Sequence, residues 1–414
     1  MTLEPKLKIP IWIGVWVLTR AFVVSQVGFW DDSAGPEYED VNIFQFWSDF
    51  IAANHAMPVE QTWQYPPGAG FLMLLPRIGG GNFGMEFIGL MLIFDLIALA
   101  CLVLLASRER REVGVWVWLL AVPLLSTFSV LRFDMVPTAI AIAALVLIHR
   151  RPTWFGALAG IGATIKVWPI FVLFGEWDRK RLLRSVGAAA AVIVAVFAIS
   201  AIAFGDQTGF LTNQKDRGLQ IEAVAASPWQ LRQLVTGTPV PAAERFGTQE
   251  ITSGLADFVA KLLDVAAFLV LFAAAWWWWL RDRAIRQGRT ELADPVLARD
   301  FVFAVVLFFV VVSRVLSPQF MIWLVGLSAV VLTAGRTRLA RPAWVVIGAV
   351  VLTAGLYQSP ANFVIRNLAL LYAALDAAVV LSLLVLGREA GRSPDDEEEA
   401  PRLSAAGPAA TELR

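Results

Sequence analysis

The chain has 414 residues, of which 58% are apolar and only 16% are charged, and its mean hydropathy is +0.65. A soluble globular protein has roughly 45–50% apolar and about 25% charged residues, so this composition indicates a polytopic membrane protein. The 34 basic residues balance the 34 acidic ones, which gives no reason to expect a nucleic-acid partner, and the single cysteine, Cys101, excludes a disulfide within the chain.

The first predicted element is a membrane span near residues 10–29, which follows Lys6 and Lys8. It is long for the apolar core of a signal peptide and has no clear small-residue cleavage site, so we predict that it is retained. A spanning helix needs about 20 apolar residues. By this criterion, further spans are predicted near 85–106, 114–131, 134–149, 185–204, 257–280, 300–316, 319–335, 343–357 and 364–387.

Most of the basic residues cluster between alternate spans and near both ends of the chain, at 6–8, 108–111, 150–151, 179–184, 281–289, 336–341 and 388–392. The positive-inside rule places these clusters in the cytoplasm and two long loops, about 30–85 and 205–255, outside the plasma membrane. We predict an integral membrane domain over 1–387. Residues 388–414 are polar and rich in Pro, Ala and Glu, which is typical of a disordered cytoplasmic tail.

The apolar segment 152–177 lies between two cytoplasmic clusters but is too short to cross the membrane twice as full helices. Two short helices that meet at Lys166–Pro169 would fit. Non-helical backbone at this depth requires surrounding protein or a wet cavity, and a lysine there favours a polar cavity. The alternative is a pair of short tilted spans from which Lys166 reaches outward to the interface.

The first outer loop contains an acidic pair, Glu39 and Asp40, followed by an apolar pattern of helical spacing over 41–55. This pattern predicts a helix that lies in the membrane interface with its apolar face toward lipid. Asp40 stands where an N-cap belongs, so it either caps this helix only or faces a cleft beside the first span. Tyr65 follows in the run Tyr65-Pro66-Pro67.

Other polar residues fall in segments that the same topology places at the outer face. They are Arg132 and Asp134 in one short turn, Arg314, Ser317 and Gln319 in another, and Lys215, Arg217 and Gln220 in the second outer loop. Each group alone could simply stabilise a turn or anchor the chain at the membrane interface. Their convergence on one side of the membrane favours a functional site there, because function concentrates in loops positioned by a rigid scaffold.

The sequence contains little that would indicate a metal site, a nucleotide-binding site or a nucleophilic hydrolase site. The sequence has only His55 and His149 besides its one cysteine, so a His/Cys metal site is nearly excluded. No phosphate-binding P-loop, dinucleotide fingerprint or nucleophile-elbow motif occurs. We therefore expect neither a metal nor a cofactor.

Five segments, in this order, resemble membrane glycosyltransferases of the GT-C type, and more narrowly the actinobacterial polyprenol-phosphate-dependent glycosyltransferase family 87. They are Asp40, Tyr65-Pro66-Pro67, Lys166–Pro169, Arg217–Gln220 and Ser317–Gln319. The resemblance extends over roughly residues 10–385. It implies an all-α polytopic membrane protein of the GT-C type, with about 10–12 transmembrane helices and amphipathic helices in the first outer loop.

The resemblance also implies an activity. A sugar, with mannose as the first candidate and arabinofuranose as an alternative found in the family, would pass from a polyprenyl-phosphate donor to a glycolipid or polysaccharide acceptor at the outer face, with inversion at the sugar carbon. Asp40 would be the catalytic base, with Glu39 as the alternative. The substrate-binding residues would be Tyr65, Arg132, Asp134, Lys166, Lys215, Arg217, Gln220, Arg314 and Gln319.

The residues leave several alternatives open. Lys166 and Arg217 are both candidates for the donor phosphate, but Lys166 could instead pair with Asp134 in a purely structural role. A transporter or lipid flippase would also be polytopic, although it predicts inverted repeats and polar residues deep in several spans. An accessory membrane subunit would not need a carboxylate in a cleft.

Overall fold

The structure is a computed structural model, and it describes residues 5–27, 39–60, 62–205, 209–215, 217–354 and 359–386. The predicted tail, 388–414, lies outside the described residues. The side chain of Glu39 also lies outside them, although its backbone begins a helix.

Helices make up almost all of the described chain. They are α1 (Pro5–Ser25), α2 (Glu39–Asn54), α3 (Pro67–Leu74), α4 (Phe83–Glu109), α5 (Val113–Ala121), α6 (Met135–Leu147), α7 (Pro152–Ile165), α8 (Arg179–Phe204), α9 (Gly209–Lys215), α10 (Ser227–Thr236), α11 (Gly254–Arg286), α12 (Pro295–Val311), α13 (Phe320–Thr333), α14 (Ala340–Ala354) and α15 (Pro360–Leu386). Two short strands, β1 (Ala242–Arg245) and β2 (Thr248–Ile251), form an antiparallel hairpin.

Within the described residues, five helices are long and apolar enough to cross a membrane: α1, α4, α8, α11 and α15. Each of the remaining predicted spans contains a shorter apolar helix, so the prediction of an all-α polytopic membrane protein is confirmed. A 14-residue helix such as α13 is only about 21 Å long, less than the ~30 Å apolar core of a bilayer. Almost every side chain of α6 and α13 is buried, so protein rather than lipid surrounds these short helices.

The predicted break in the segment 152–177 is confirmed. Helix α7 ends at Ile165, Lys166 is extended, and a 3₁₀ helix follows over Trp168–Gly175. Helix α7 packs closely on α8, because a Cβ atom at Gly156 or Gly160 would clash with the α8 backbone at Ser185 or Ala189. Small residues four apart allow this close approach of helices in membranes. The chain therefore returns inside the helical body, with the turn at Lys166.

The predictions did not include a buried ion pair between α1 and α4. Arg20 and Asp95 are 3% and 2% exposed and meet through two hydrogen bonds of 2.6 and 3.0 Å. Trp16 and Trp118 donate to the same carboxylate, and Arg20 also donates to the Leu119 carbonyl. Charges within spans are costly unless paired in this way, so the network fixes how α1 sits against the body.

The basic clusters gather at one end of the molecule. Arg108 donates to the Val146 carbonyl, Arg181 to the His149 carbonyl and Arg289 to the Val385 carbonyl, so residues far apart in sequence meet there. This grouping agrees with the alternation of spans that the charge pattern predicts. We call this end of the molecule the basic end.

The prediction for α2 is wrong in two respects. The helix begins at Glu39, so Asp40 lies in its first turn rather than before it. Its apolar face does not point outward, because Val41, Phe44 and Trp47 are buried against the body. The Phe44 ring packs 5.3 Å from Phe87 of α4, and such contacts between aromatic rings give a stabilisation that contact with lipid chains would not.

Candidate functional site

A cavity of about 740 Å³ opens among the loops at the end of the molecule opposite the basic end. Helix α12 begins near the basic end and stops at Val311, and α13 starts at Phe320 and returns, so the turn between them lies at the cavity. The two long loops predicted to be outside, the Arg132 turn and the Lys166 turn contribute the remaining walls.

The cavity brings together most of the residues singled out from the sequence. Its walls include Asp40, Tyr65, Arg132, Lys166, Arg217, Gln220, Arg314 and Gln319. Asp134 is buried behind Lys166, and Lys215 is exposed outside the walls. The structure therefore does not bring Asp134 and Lys215 to the cavity surface, and the functional role of every residue stays a prediction.

Asp40 and Arg132 form an ion pair at the cavity wall. The first turn of α2 positions the carboxylate, and the turn before α6 positions the guanidinium. Both side chains are 21% exposed, so the pair remains accessible from the cavity. Asp40 therefore faces a cavity rather than only capping its helix, but the described residues of the first span do not line this cavity, so it is not the cleft beside the first span that the sequence suggested.

Lys166 forms a buried ion pair with Asp134. Its Nζ donates to Asp134 Oδ1 at 2.6 Å, and the Trp323 indole donates to the same oxygen at 2.7 Å. The ammonium also lies 5.0–5.5 Å from four ring centroids, those of Tyr65, Phe133, Phe320 and Trp323. These contacts match the structural role that the sequence left open for Lys166, although the residue also lines the cavity.

Tyr65 belongs to an aromatic cluster that connects the first outer loop to the helical body. Its ring lies 4.8 Å from Phe133, 5.8 Å from Trp47 and 6.0 Å from Trp63. Burial raises the pKa of the Tyr65 phenol, and the charge of Asp134 raises it further. The hydroxyl therefore stays protonated at neutral pH and can donate a hydrogen bond into the cavity.

Arg217 ties the two outer loops together. Its Nη1 donates to Gln64 Oε1 at 2.7 Å, its Nη2 to Thr248 Oγ1 at 2.6 Å, and its Nε to Glu250 Oε1 at 3.4 Å. Burial lowers the pKa of the guanidinium, whereas the charge of Glu250 raises it. Three protein partners hold this side chain, so it shapes the cavity whether or not it also contacts a substrate.

The turn between α12 and α13 is anchored to the second outer loop. The side-chain Oε1 of Gln220 accepts from the Leu316 backbone N–H at 3.0 Å, and the Gln220 backbone N–H donates to the Arg314 carbonyl. The Arg314 guanidinium reaches Asp264 of α11 at 3.1 Å and the Gln214 carbonyl at 2.5 Å. These contacts fix one wall of the cavity to α11.

Two buried polar atoms at the cavity lack a hydrogen-bond partner within the described parts of the chain. They are Gln319 Oε1, an acceptor, and Trp168 Nε1, a donor, in side chains that are only 6% and 2% exposed. An unsatisfied buried polar group is costly, but both atoms are closed off from the cavity, so neither is a contact for a ligand in this structure.

Sequence reasoning missed several residues of the cavity. Glu222, Glu244 and Asp264 add carboxylates, and Phe246 adds a ring at the tip of the β-hairpin. The hairpin had a signal in Phe246-Gly247, because a glycine-containing pair between two short strands is typical of a tight turn. The three acidic residues could not be recognised from the sequence, because isolated Glu and Asp residues are common on protein surfaces.

The described residues include no group of three or more His, Cys, Asp or Glu side chains placed to share a metal ion. The expectation of a reaction without metal or cofactor stays a prediction.

Over the described residues, a helical membrane body with a large cavity among the loops at one end is consistent with a GT-C-type membrane enzyme. The model of glycosyltransferase family 87 matches residues 63–313, and the chain belongs to this family. Comparison with curated proteins and with solved structures gave no significant match. Of the five resembling segments, those at Tyr65, Lys166 and Arg217 lie inside the matched range, whereas Asp40 and Ser317–Gln319 lie outside it.

Family membership makes the protein a glycosyltransferase and favours an enzyme over the transporter and accessory-subunit alternatives. The long apolar helices add that it is a membrane protein.

Proposed function

We propose that the protein transfers a sugar, with mannose as the first candidate, from a polyprenyl-phosphate donor to a glycolipid or polysaccharide acceptor. The reaction takes place at the outer face of the plasma membrane and inverts the configuration of the transferred sugar carbon. Asp40 is the base. The observation that carries this proposal is the accessible Asp40 carboxylate in a cavity that also presents four basic side chains: Arg132, Lys166, Arg217 and Arg314.

The walls of the cavity suit the two parts of such a donor. Leu263 and Ala267 of α11 line the cavity together with Phe309 and Val312 on the α12 side, and these apolar groups suit a prenyl chain. Neighbouring residues of α11, such as Phe268 and Phe272, are 74% and 68% exposed on the surface of the body, where lipid would lie. A lipid-borne substrate could therefore enter between α11 and α12 without passing through water.

The proposed chemistry is one displacement. The acceptor hydroxyl attacks the sugar carbon, Asp40 takes the hydroxyl proton, and the bond to the phosphate oxygen breaks. The base must come within hydrogen-bond reach of the hydroxyl, and the departing phosphate needs cationic or hydrogen-bonding groups for its growing charge.

Arg132 is the strongest candidate for contact with the phosphate. A guanidinium has five N–H donors, and Asp40 is its one partner within the described residues. We expect Arg132→Met to lower the donor kcat/KM about 10–100-fold, the worth of one or two hydrogen bonds to a charged group, with little change in the acceptor KM. Steady-state kinetics with varied donor measures this.

Arg232→Met is the control, because Arg232 is an exposed arginine on α10 in the second outer loop and does not line the cavity. A donor kcat/KM that falls equally in both variants would contradict a specific role for Arg132. Arg217→Met tests the remaining candidate. Its three protein partners predict a lower melting temperature in addition to any loss of donor affinity.

The proposed function is tested with purified protein in lipid nanodiscs. Synthetic polyprenyl phosphates carrying radiolabelled mannose, arabinofuranose or glucose are supplied with the octyl glycosides of mannose and arabinofuranose as acceptors. We expect transfer from the mannose donor and an inverted anomeric configuration in the product. Folded protein that transfers from none of these donors would overturn the proposal.

The proposed sidedness has its own test. On a Cys101→Ser background, single cysteines at the outer positions 40 and 232 should react with a membrane-impermeant maleimide added to intact cells, whereas cysteines at 181 and 283 should react only after lysis. Position 217 is buried, so the exposed Arg232 of the same loop provides the second outer probe. Labelling of 181 but not 232 in intact cells would place the cavity in the cytoplasm.

A further inference from the structure

At the tip of the β-hairpin, Phe246 occupies a backbone conformation that bulky residues rarely adopt. β1 and β2 pair up to Arg245 and Thr248, which leaves Phe246 and Gly247 as a two-residue turn. Their φ angles are +52° and +70°, both in the left-handed region, as in a type I′ turn. Asn, Asp or Gly normally occupies the first of these positions, and a bulky aromatic residue is disfavoured there. A strained residue that persists points to a function for its side chain.

The Phe246 ring is held at the cavity wall. The Phe246 carbonyl accepts from Gln64 Nε2 of the first outer loop at 3.4 Å, and the Arg217 guanidinium lies 5.9 Å from the ring centroid. The ring is half-buried and lines the cavity together with Thr248 and Gln249 of β2. The turn thus presents an aromatic face inside the cavity, and its neighbours hold that face in place.

The surroundings of the ring fit a carbohydrate. Gln64 of the first outer loop and Thr248 and Gln249 of the hairpin also line the cavity. Their side chains carry hydrogen-bonding groups. A sugar presents apolar C–H groups on one face and hydroxyls around its edge, so an aromatic platform with polar neighbours matches both. Ligand sites commonly combine aromatic side chains with a few placed polar groups in this way.

Apart from Phe246 and Gly247, the hairpin contributes polar residues to the cavity lining. Glu244 and Arg245 are exposed and polar, whereas the apolar wall belongs to the helices α11 and α12. A prenyl chain requires the apolar wall, which leaves the hairpin side for the acceptor. We propose that Phe246 is a platform on which a sugar ring of the acceptor stacks, and that it sets the affinity for the acceptor. This inference rests on the proposed function.

The test compares Phe246→Leu, which removes the ring, with Phe246→Tyr, which keeps it. With polyprenyl-phosphate mannose and octyl mannoside, we expect the acceptor KM to rise about 5–20-fold in Phe246→Leu, to rise less in Phe246→Tyr, and the donor KM to stay within about twofold. Arg245→Ala is the control, because Arg245 is exposed on the same hairpin and does not line the cavity.

The variant Phe246→Asn distinguishes a role of Phe246 in acceptor binding from a role in the stability of the hairpin. Asn fits the left-handed turn better than Phe, so this variant should melt at the same or a higher temperature and still show the raised acceptor KM. A lower melting temperature with an unchanged acceptor KM would give Phe246 a structural role only and overturn the inference. A raised donor KM instead would assign the ring to the donor sugar and overturn it too, with the proposed function intact. Wild-type protein without transfer from any donor would overturn both.

Discussion

Replacing Asp40 by Asn should lower the rate of sugar transfer about 10²–10⁴-fold, the usual contribution of a positioned general base. The amide keeps the size of the carboxylate but cannot accept the hydroxyl proton. The donor KM should change little, because Asn still occupies the first turn of α2 beside Arg132. Single-turnover transfer with saturating donor measures the chemical step directly.

Asp49→Asn is the control for this experiment. Asp49 lies on the same helix, pairs with Arg77 on the protein surface and does not line the cavity, so its replacement should leave transfer near the wild-type rate. Near wild-type transfer by Asp40→Asn together with an inactive Glu39→Gln would move the base to Glu39. If neither acidic side chain matters, the mechanism proposed here is wrong.

Replacing Lys166 by Met should destabilise the protein by roughly 3–5 kcal/mol, because it leaves the Asp134 carboxylate buried without its cation. Asp134 is only 1% exposed, and the remaining donation from Trp323 does not neutralise its charge. Thermal unfolding in nanodiscs should therefore show a large fall in melting temperature. The exposed pair Arg77–Asp49 provides the control, since Arg77→Met should cost only about 0–1 kcal/mol.

The double variant Lys166→Met/Asp134→Asn separates the two roles considered for Lys166. If the pair is structural, the double variant recovers most of the lost stability and the transfer activity returns with it. If Lys166 contacts the donor phosphate, stability recovers while the donor kcat/KM stays low. The geometry favours the first outcome. Equal destabilisation in the single and double variants would contradict a buried ion pair at this position.

The helical body could be predicted from the sequence, because the patterns that indicate membrane spans are strong and lie within short stretches of the chain. Long apolar runs and basic clusters predict spans such as α4 and α8, and the lysine and proline inside an apolar segment predict the break after α7. These features depend on the preference of each segment for lipid or water. They do not depend on which segments later meet, so periodicity and charge can reveal them.

The sequence failed where tertiary contacts decide the outcome. The apolar face of α2 was assigned to lipid, but Phe44 and Trp47 pack on protein, and periodicity cannot distinguish these two apolar surroundings. The Arg20–Asp95 pair joins residues 75 positions apart, and neither residue signals its partner. For Lys166 the sequence offered both a cavity and a pair with Asp134 and could not choose between them, whereas the fold shows the pair at the cavity wall.

The central claim is that the cavity among the loops holds the lipid-linked sugar. Its most direct test is photo-crosslinking with a polyprenyl-phosphate sugar that carries a diazirine on the sugar, followed by peptide mapping. We predict crosslinks to the cavity walls, in peptides containing Asp40 and Tyr65, Arg217 and Gln220, or Gln319 and Trp323. Excess unlabelled donor should suppress them. Suppressible crosslinks confined to the basic end, near Arg181 or Arg289, would contradict this account.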